Sequence, residues 1–180
     1  MTTPPLPGDR SSRAAIARMI RVDHAGEYGA KRIYQGQLAI LGRGPKGDVI
    51  RHMQAQEQHH LDTFAAMIAR RRVRPTALLP FWHIAGFALG AATALLGERA
   101  AMACTVAVEE AIDEHYAAQS ASLGEDEAEL RDTIETFRAE ELEHRDIGLA
   151  HEAELAPGYR LLTGAIKAGC KLAIAASERV

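Results

Sequence analysis

One pattern occurs twice in this chain and constrains its fold more than any other feature: a lone glutamate, followed about thirty residues later by Glu-x-x-His. The first copy is Glu27, Glu57 and His60, and the second is Glu109, Glu141 and His144. Residues at matching offsets after each lone glutamate are also identical, and these pairs are Tyr34 and Tyr116, Gln37 and Gln119, Leu41 and Leu123, and Gly42 and Gly124. We interpret this agreement as an internal duplication of a helix hairpin.

The rest of the sequence predicts an all-α protein. With 180 residues the chain is long enough for one domain with a real core. Helical periodicity and Gly or Pro stop signals predict helices over residues 14–41, 48–72, 98–123, 125–154 and 159–177, with a turn at 44–47. We expect residues 1–13 to be a disordered lead-in and 14–180 to form a single domain, a four-helix bundle of two duplicated hairpins with an apolar crossover and a C-terminal helix.

Composition excludes several function classes. The net charge of -3 gives no reason to expect a nucleic-acid partner. Cys104 and Cys170 are far apart and form no CxxC pair, so we expect reduced thiols and no disulfide framework. The N-terminus has no apolar segment typical of a secretory signal, and it is short for a mitochondrial transit peptide.

The register of the second and fourth predicted helices places the Glu-x-x-His residues on core-facing stripes. Steps of three and four residues join apolar positions to the ligand candidates in each helix. The two stripes are Ile50, Met53, Glu57, His60, Phe64 and Met67, and Leu130, Ile134, Phe137, Glu141, His144 and Gly148. Comparable stripes carry Glu27 and Glu109, so all four carboxylates should be buried together.

Buried carboxylates need compensating charge. Burying an unpaired charge in a core costs roughly several kcal/mol of free energy, and like charges nearby add to that cost. Four carboxylates and two imidazoles in this order are the ligand set of a di-iron site inside a helical bundle. Two ferrous ions would balance the four negative charges. Such mixed ligands suit iron or manganese better than the thiolate-rich sets typical of structural zinc. The alternative is six core-facing polar residues without a shared role.

Several other polar residues leave alternatives open. Tyr34 and Tyr116 either hydrogen-bond near the ligands or simply pack the core. His115 lies beside Tyr116 and is a candidate for a role near the site. Asp23 and Asp113 either orient a ligand histidine or lie on the helix surface. Surface or interface positions are expected for most of the remaining histidines, which are His24, His52, His59, His83 and His151.

Five stretches of sequence resemble the demethoxyubiquinone hydroxylase family of ubiquinone biosynthesis. They are RVDHAGEYGA at 21–30, TVAVEEAIDEHY at 105–116, EELEHRDIG at 140–148, and the closing ELAPGYRLL and AGCKLAIAASERV segments. The resemblance covers about residue 16 to the C-terminus. It is more specific than ligand spacing alone, which generic ferritins share.

The resemblance implies a ferritin-like fold and a di-iron monooxygenase, a 3-demethoxyubiquinol 3-hydroxylase that uses O₂ as co-substrate. It implies two iron ions per chain, with Glu27, Glu57, His60, Glu109, Glu141 and His144 as the six ligands. Glu57 and Glu141 would bridge the irons, and Glu27 and Glu109 would be terminal ligands. Without a long N-terminal extension the chain looks like a bacterial member, so we expect a peripheral protein on the cytoplasmic face of the cell membrane.

The segment 76–97 contains no Asp, Glu, Lys or Arg and is long enough to span a bilayer by hydropathy alone. A single span would place the two ligand sets on opposite membrane faces, and Pro80, Gly86 and Gly90 weaken a continuous helix. We therefore expect a crossover partly sunk into the membrane surface, joined by the last helix. The basic cluster Arg70, Arg71, Arg72 and Arg74 is expected to meet anionic headgroups, to complement a helix C-terminus, or to do both.

The expected partners are thus the demethoxyubiquinol lipid, a membrane surface, and lipid-binding or ubiquinone-synthesis proteins. Gly26, Gly29 and Gly36 either make room for a ring or polyprenyl tail or allow close helix packing. The rival functions are a ferritin-like ferroxidase, which the apolar run argues against, and a peroxide-scavenging di-iron protein, whose usual CxxC module is absent. A non-enzymatic membrane-binding bundle is the weakest alternative.

Overall fold

A computed structural model describes residues 12–43 and 45–180 and contains six α-helices. They are α1 (Arg13–Leu41), α2 (Pro45–Arg71), α3 (Leu79–Leu95), α4 (Glu98–Ser122), α5 (Ala128–Ala150) and α6 (Tyr159–Ser177). Short 3₁₀ turns at Glu125–Glu127 and Ala153–Leu155 flank α5. No strand occurs within these residues, so the prediction of an all-α bundle is confirmed.

Two predicted boundaries were wrong. The predicted turn at 44–47 is mostly helix, because α2 already begins at Pro45. A proline is tolerated in the first turn, where its missing N–H has no intrahelical partner to lose. The fourth predicted helix ends at Ala150 and not at 154, since Glu152 adopts a left-handed conformation with φ of 61°.

The predicted disordered lead-in at 1–13 lies largely outside the described residues. Of that range only the last two positions are described, and Arg13 is already the first residue of α1. Gly44 also lies outside the described residues.

The apolar segment forms one continuous helix over Leu79–Leu95, although Pro80, Gly86 and Gly90 were expected to weaken such a helix. Pro80 lies in the first turn and so breaks no hydrogen bond. The glycines allow close packing of α3 on α1: a Cβ on Gly90 would overlap the carbonyl oxygen of Ile33, and one on Gly86 would lie 2.8 Å from that of Gly29. Close helix approach therefore explains residues that looked like helix breakers.

Helix pairing follows the chain order in each half. α1 packs against both α2 and α3, and α4 packs against both α5 and α6. The indole N–H of Trp82 in α3 donates to Ser177 Oγ in α6, and this hydrogen bond links α3 to α6. Among the described residues, no helix combines the length and the apolar character needed to cross a bilayer.

Two of the three apolar clusters of the core lie on either side of a polar layer. One cluster contains Ile16, Ile20, Phe64, Met67, Tyr116, Leu123, Leu130, Ile134 and Phe137. The other contains Tyr34, Ile50, Met53, Ala100, Met102, Ala103, Val106, Ala153 and Ala156. Along each of α1, α2, α4 and α5 the candidate ligands fall at or near the boundary of these clusters, so apolar side chains enclose the polar layer.

Candidate metal centre

The core-facing stripes predicted on the second and fourth helices are confirmed. All twelve residues of the two stripes are buried in α2 and α5, including Gly148 beside Val106. Glu57, His60, Glu141 and His144 each have no exposed surface. The interruption of two apolar stripes by polar residues is therefore a feature of the core and not of the surface.

The structure brings all six candidate ligands into one layer as two overlapping sets. One set is Glu27, Glu57, His60 and Glu141, and the other is Glu57, Glu109, Glu141 and His144. Within each set, one ligand atom per residue lies within 4.8 Å of every other. Glu57 and Glu141 belong to both sets, so each position has two shared carboxylates, one carboxylate of its own and one imidazole.

Both histidines direct Nδ1 toward the shared carboxylates. His60 Nδ1 lies 3.1 Å from Glu141 Oε1 and 3.4 Å from Glu27 Oε2. His144 Nδ1 lies 3.1 Å from Glu141 Oε2 and 3.3 Å from Glu57 Oε1. One imidazole nitrogen of each ring is therefore available to a metal ion between the carboxylates.

The two repeated tyrosines hydrogen-bond to the lone glutamates reciprocally, which resolves the alternatives left open for them. Tyr34 in α1 donates to Glu109 Oε1 at 2.7 Å, and Tyr116 in α4 donates to Glu27 Oε1. Burial raises the pKa of both phenols well above the usual value, so they remain protonated donors. Each phenol thus fixes the carboxylate carried by the other helix.

The repeated glutamines Gln37 and Gln119 each donate a buried hydrogen bond through the side-chain amide, but to different kinds of acceptor. Gln119 donates to Asp23 Oδ1 at 2.8 Å, whereas Gln37 donates to the Ala101 carbonyl at 3.0 Å and faces Thr105. His115 Nε2 lies 3.3 Å from the same Asp23 oxygen. His115 therefore lies behind the Glu27 side of the layer, in contact with Asp23 and Gln119.

Asp23 and Asp113 have different environments. Asp23 is 2 % exposed, so the surface interpretation was wrong for it, yet its partners are His115 and Gln119 and not a ligand histidine. Asp113 forms an ion pair with Arg138 at 2.6 Å. A sequence pattern could not distinguish the two, because both lie one turn from a lone glutamate.

Burial and mutual repulsion make the ionised carboxylates costly. Burial raises the pKa of Glu57 and Glu109 well above the usual carboxyl value, and repulsion from Glu141 raises both further. Burial also raises the pKa of Glu27. Burial opposes ionisation of Glu141 as well, but hydrogen bonds from His144 and His60 outweigh it and lower its pKa. The four carboxylates cannot all be ionised at low cost without a compensating cation.

The donor set fits such cations. Four buried carboxylate oxygens in the layer have no hydrogen-bond partner within the described residues: Glu27 Oε2, Glu57 Oε1 and Oε2, and Glu109 Oε2. Buried oxygens without partners are rare in native proteins and are explained where they bind an ion. Oxygen donors with one imidazole at each position suit iron or manganese, and neither cysteine belongs to the sets.

Sequence reasoning missed the partners of the outer histidine nitrogens. His60 Nε2 lies 2.6 Å from Glu140 Oε2, and His144 Nε2 lies 3.0 Å from Gln56 Oε1. Glu140 and Gln56 each immediately precede the glutamate of a Glu-x-x-His motif, on the opposite hairpin from the histidine they contact. The sequence contained this shared position, but one copy has a neutral glutamine and the other a glutamate, so the two residues did not look like a repeated pair.

The remaining histidines lie outside the layer. His83 Nδ1 pairs with Tyr28 Oη at 2.6 Å and His151 Nδ1 lies 3.2 Å from Glu98. His52 and His59 are exposed, as expected, whereas burial lowers the pKa of His24. In the basic cluster, Arg70 pairs with Glu129 and Arg71 with Glu127, so protein carboxylates already engage two of the four arginines. Both cysteines are free thiols.

An apolar cavity of about 550 Å³ opens beside the layer, between α1, α3, α4 and α6. Its walls include Gly26 and Val108, which immediately precede the two lone glutamates. A Cβ on Gly26 or Gly29 would have no neighbour within 4 Å, whereas one on Gly36 would overlap the carbonyl oxygen of Phe87. Gly26 and Gly29 therefore border open space, whereas Gly36 allows close helix packing.

Comparison with known proteins identifies a matching family and many similar chains. Residues 14–177 match the model of a family described as ubiquinone biosynthesis protein COQ7. A Rhodospirillum rubrum protein named 3-demethoxyubiquinol 3-hydroxylase is 65% identical over 176 residues, which cover 97% of this chain and 83% of the relative. A Bos taurus protein named NADPH-dependent 3-demethoxyubiquinone 3-hydroxylase, mitochondrial, is 58% identical, over 96% of this chain and 81% of the relative.

A more distant relative extends the similarity to fungi. The Saccharomyces cerevisiae protein named 5-demethoxyubiquinone hydroxylase, mitochondrial, is 42% identical, over 93% of this chain and 79% of the relative. The alignments therefore include every helix of the layer.

Proposed function

The chain belongs to the COQ7 family of ubiquinone biosynthesis proteins, and from that premise we propose that it is a di-iron monooxygenase with 3-demethoxyubiquinol 3-hydroxylase activity. The observation that carries this proposal is the buried layer of four carboxylates and two imidazoles, with carboxylate oxygens that have no hydrogen-bond partner in the part of the chain that the structure describes. The hydroxylase names of relatives with 57% to 65% identity support the reaction type.

Two irons per chain would be held as the two overlapping sets suggest. Glu27 and His60 would serve one iron, Glu109 and His144 the other, and Glu57 and Glu141 would bridge both. The reciprocal contacts of Tyr34 and Tyr116 support a duplicated, ferritin-like arrangement of two hairpins within a single domain over 14–180. When bound, the irons supply the redox chemistry that activates O₂.

The protein supplies position and exclusion of water. The phenols of Tyr34 and Tyr116 hold the terminal carboxylates, and the apolar clusters on both sides keep bulk water from the layer. Hydroxylation places one oxygen atom of O₂ on the ring and releases the other as water, which requires two electrons from a reductant and two protons, one of which comes from solvent when NADPH is the reductant. The mammalian relatives are named as NADPH-dependent, and we propose NADPH as the reductant to test first in an activity assay of this protein.

The apolar cavity would receive the substrate. Its volume falls in the range of ligand sites, roughly 300–1,000 Å³, and its walls are predominantly apolar, as a quinol ring with a polyprenyl tail requires. Because the walls include the residues next to both lone glutamates, a ring bound there would lie beside the metal layer. An apolar cavity in this position favours an organic substrate over ferroxidase or peroxide-scavenging activity.

Helices α3 and α6, which contribute two walls of the cavity, also carry exposed apolar side chains. Phe81 and Ile84 in α3 and Leu161 and Leu172 in α6 are between 59% and 81% exposed. Apolar patches of this kind mark contacts with membranes or proteins. We propose that this α3/α6 face lies on a membrane surface, the cytoplasmic face of the cell membrane in a bacterium, where it takes up a lipid substrate and meets lipid-binding or ubiquinone-synthesis proteins.

Charged substitutions on the α3/α6 face should weaken membrane binding. We expect Ile84→Glu with Leu161→Glu to lower the fraction bound to phosphatidylethanolamine–phosphatidylglycerol vesicles at least about 10-fold, since each buried leucine-sized side chain contributes about 1.5–3 kcal/mol. Vesicle flotation measures the fraction directly. Leu155→Glu, at a residue that is 60% exposed but outside both helices, is the control. Equal binding of the double variant and the wild type would contradict the proposal.

The reaction itself has a direct test. A strain without the protein should accumulate demethoxyubiquinone and lack ubiquinone, and ¹⁸O₂ supplied to the purified iron-loaded protein should place one labelled oxygen on the ring. Normal ubiquinone in such a strain, with no second hydroxylase present, would overturn the assigned reaction. Ring oxygen derived from water would retain the pathway and refute the use of O₂.

A further inference from the structure

We propose that the two metal positions are inequivalent, and that Glu140 makes the Glu27/His60 position the stronger donor and the first to fill. The inference rests on the metal centre proposed above and adds an order to it. It starts from a difference between two sets that are otherwise alike, because each consists of two shared carboxylates, one terminal carboxylate and one imidazole.

The difference lies at the outer nitrogen of each histidine. With a metal ion bound at Nδ1, Nε2 would carry the hydrogen and donate outward. The acceptor for His60 is the carboxylate of Glu140 at 2.6 Å, and the acceptor for His144 is the neutral amide oxygen of Gln56 at 3.0 Å. The shorter contact to a charged acceptor is the stronger hydrogen bond.

The two contacts are equivalent in the duplicated architecture. Each acceptor immediately precedes the glutamate of a Glu-x-x-His motif and reaches the histidine of the other motif. The backbone therefore places both side chains alike, and the residue type alone sets the charge. Stacking of Phe137 on the His60 ring, with centroids 3.9 Å apart, further restricts the orientation of that imidazole.

A carboxylate on the outer N–H of a metal-bound imidazole raises the basicity of the ligand nitrogen and fixes the ring. His60 Nδ1 is thus a stronger electron-pair donor to a metal ion than His144 Nδ1, although the two Nδ1 atoms lie at similar distances from the carboxylates. A metal ion at the Glu27/His60 position should bind more tightly and be more electron-rich than one at the Glu109/His144 position.

Asp23 is a second acidic residue without a counterpart, since Thr105 stands at the corresponding offset before Glu109. Its hydrogen bonds go to His115 and Gln119 and to none of the six candidate ligands. Asp23 therefore provides the control for a buried carboxyl group on the same side of the layer that does not touch a ligand.

Anaerobic calorimetric titration of the full chain, freed of metal by chelation, with Co²⁺ and then Fe²⁺ tests the inference. The wild type should bind two equivalents in separate steps. In E140Q the tighter step should weaken by about 10- to 100-fold, the usual effect of losing such a partner, and merge with the second. In Q56E the weaker step should tighten, and the E140Q/Q56E exchange should restore two separate steps.

Three further variants and readouts exclude a merely structural role. E140D should keep the two steps, D23N should keep them as well, and ⁵⁷Fe Mössbauer spectra of the wild type loaded with one equivalent should show one dominant ferrous doublet that E140Q splits into two. A single step in the wild type, or separate steps that persist in E140Q, would overturn the inference. A chain that binds no metal would instead refute the proposed function.

Discussion

Replacing Glu141 with alanine should abolish ring hydroxylation and empty the metal layer. Glu141 contacts both histidines and belongs to both ligand sets, so its loss removes one oxygen donor from each position at once. Partners that only orient a ligand change metal affinity by about 10- to 100-fold, and we expect the loss of a shared ligand to lower turnover to less than about a thousandth of the wild type. Metal content by elemental analysis and product formation by chromatography measure the two effects.

His52→Ala is the matched control for this change. His52 lies on the same helix as Glu57, and its side chain is exposed outside the layer. The control should therefore retain its iron and its activity. Full activity in Glu141→Ala, or active wild-type protein that contains zinc in place of iron, would defeat the assignment of the layer as a di-iron site.

Replacing Gly29 with leucine should block the substrate cavity without unfolding the protein. Gly29 lines the cavity, and a Cβ there would meet no atom within 4 Å, so a leucine side chain would occupy space that the substrate needs. We expect kcat/KM for a long-tailed quinol to fall by about 100-fold or more, which corresponds to roughly 3 kcal/mol at about 1.4 kcal/mol per factor of ten. Steady-state kinetics with quinols of different tail lengths measures the loss.

Gly164→Leu separates blocking from a general effect of the substitution. Gly164 is also helical, a Cβ added there would have no neighbour within 4 Å, and the residue does not line the cavity. Because leucine is favoured over glycine in a helix by about 1 kcal/mol, both variants should keep or raise the melting temperature. An unchanged kcat/KM in Gly29→Leu, at full iron content, would place the substrate elsewhere.

Features that depend on periodicity could be read from the residues. The stripes on α2 and α5 follow from steps of three and four, which put every third or fourth side chain on one helical face whatever surrounds it. A polar residue at such a position is buried when that face of the helix packs against the core. Because the six polar residues occur as two matching sets, a shared function is the simplest explanation for them. The convergence of Glu27, Glu57, His60, Glu109, Glu141 and His144 was predictable for that reason.

The conformation of the apolar segment was not predictable in the same way. Gly86 and Gly90 have low intrinsic helix propensity, and sequence alone gives that cost without the compensation. The compensation is the approach of the α1 backbone, which leaves no room for a Cβ at either position. Pro80 misled for a related reason, since its effect depends on whether it lies in the first turn of the helix or in the interior.

The sequence by itself thus determined five of the six helices that the structure describes, their buried faces and the identity of the candidate ligands, because these follow from local spacing and from the cost of burying charge. Only the tertiary structure decided which tyrosine holds which glutamate, that Asp23 is buried while Asp113 pairs with Arg138, and that Glu140 faces one histidine where Gln56 faces the other. Those contacts join residues on different helices, so they depend on how the helices rotate and pack against one another. No periodicity within one helix records that packing.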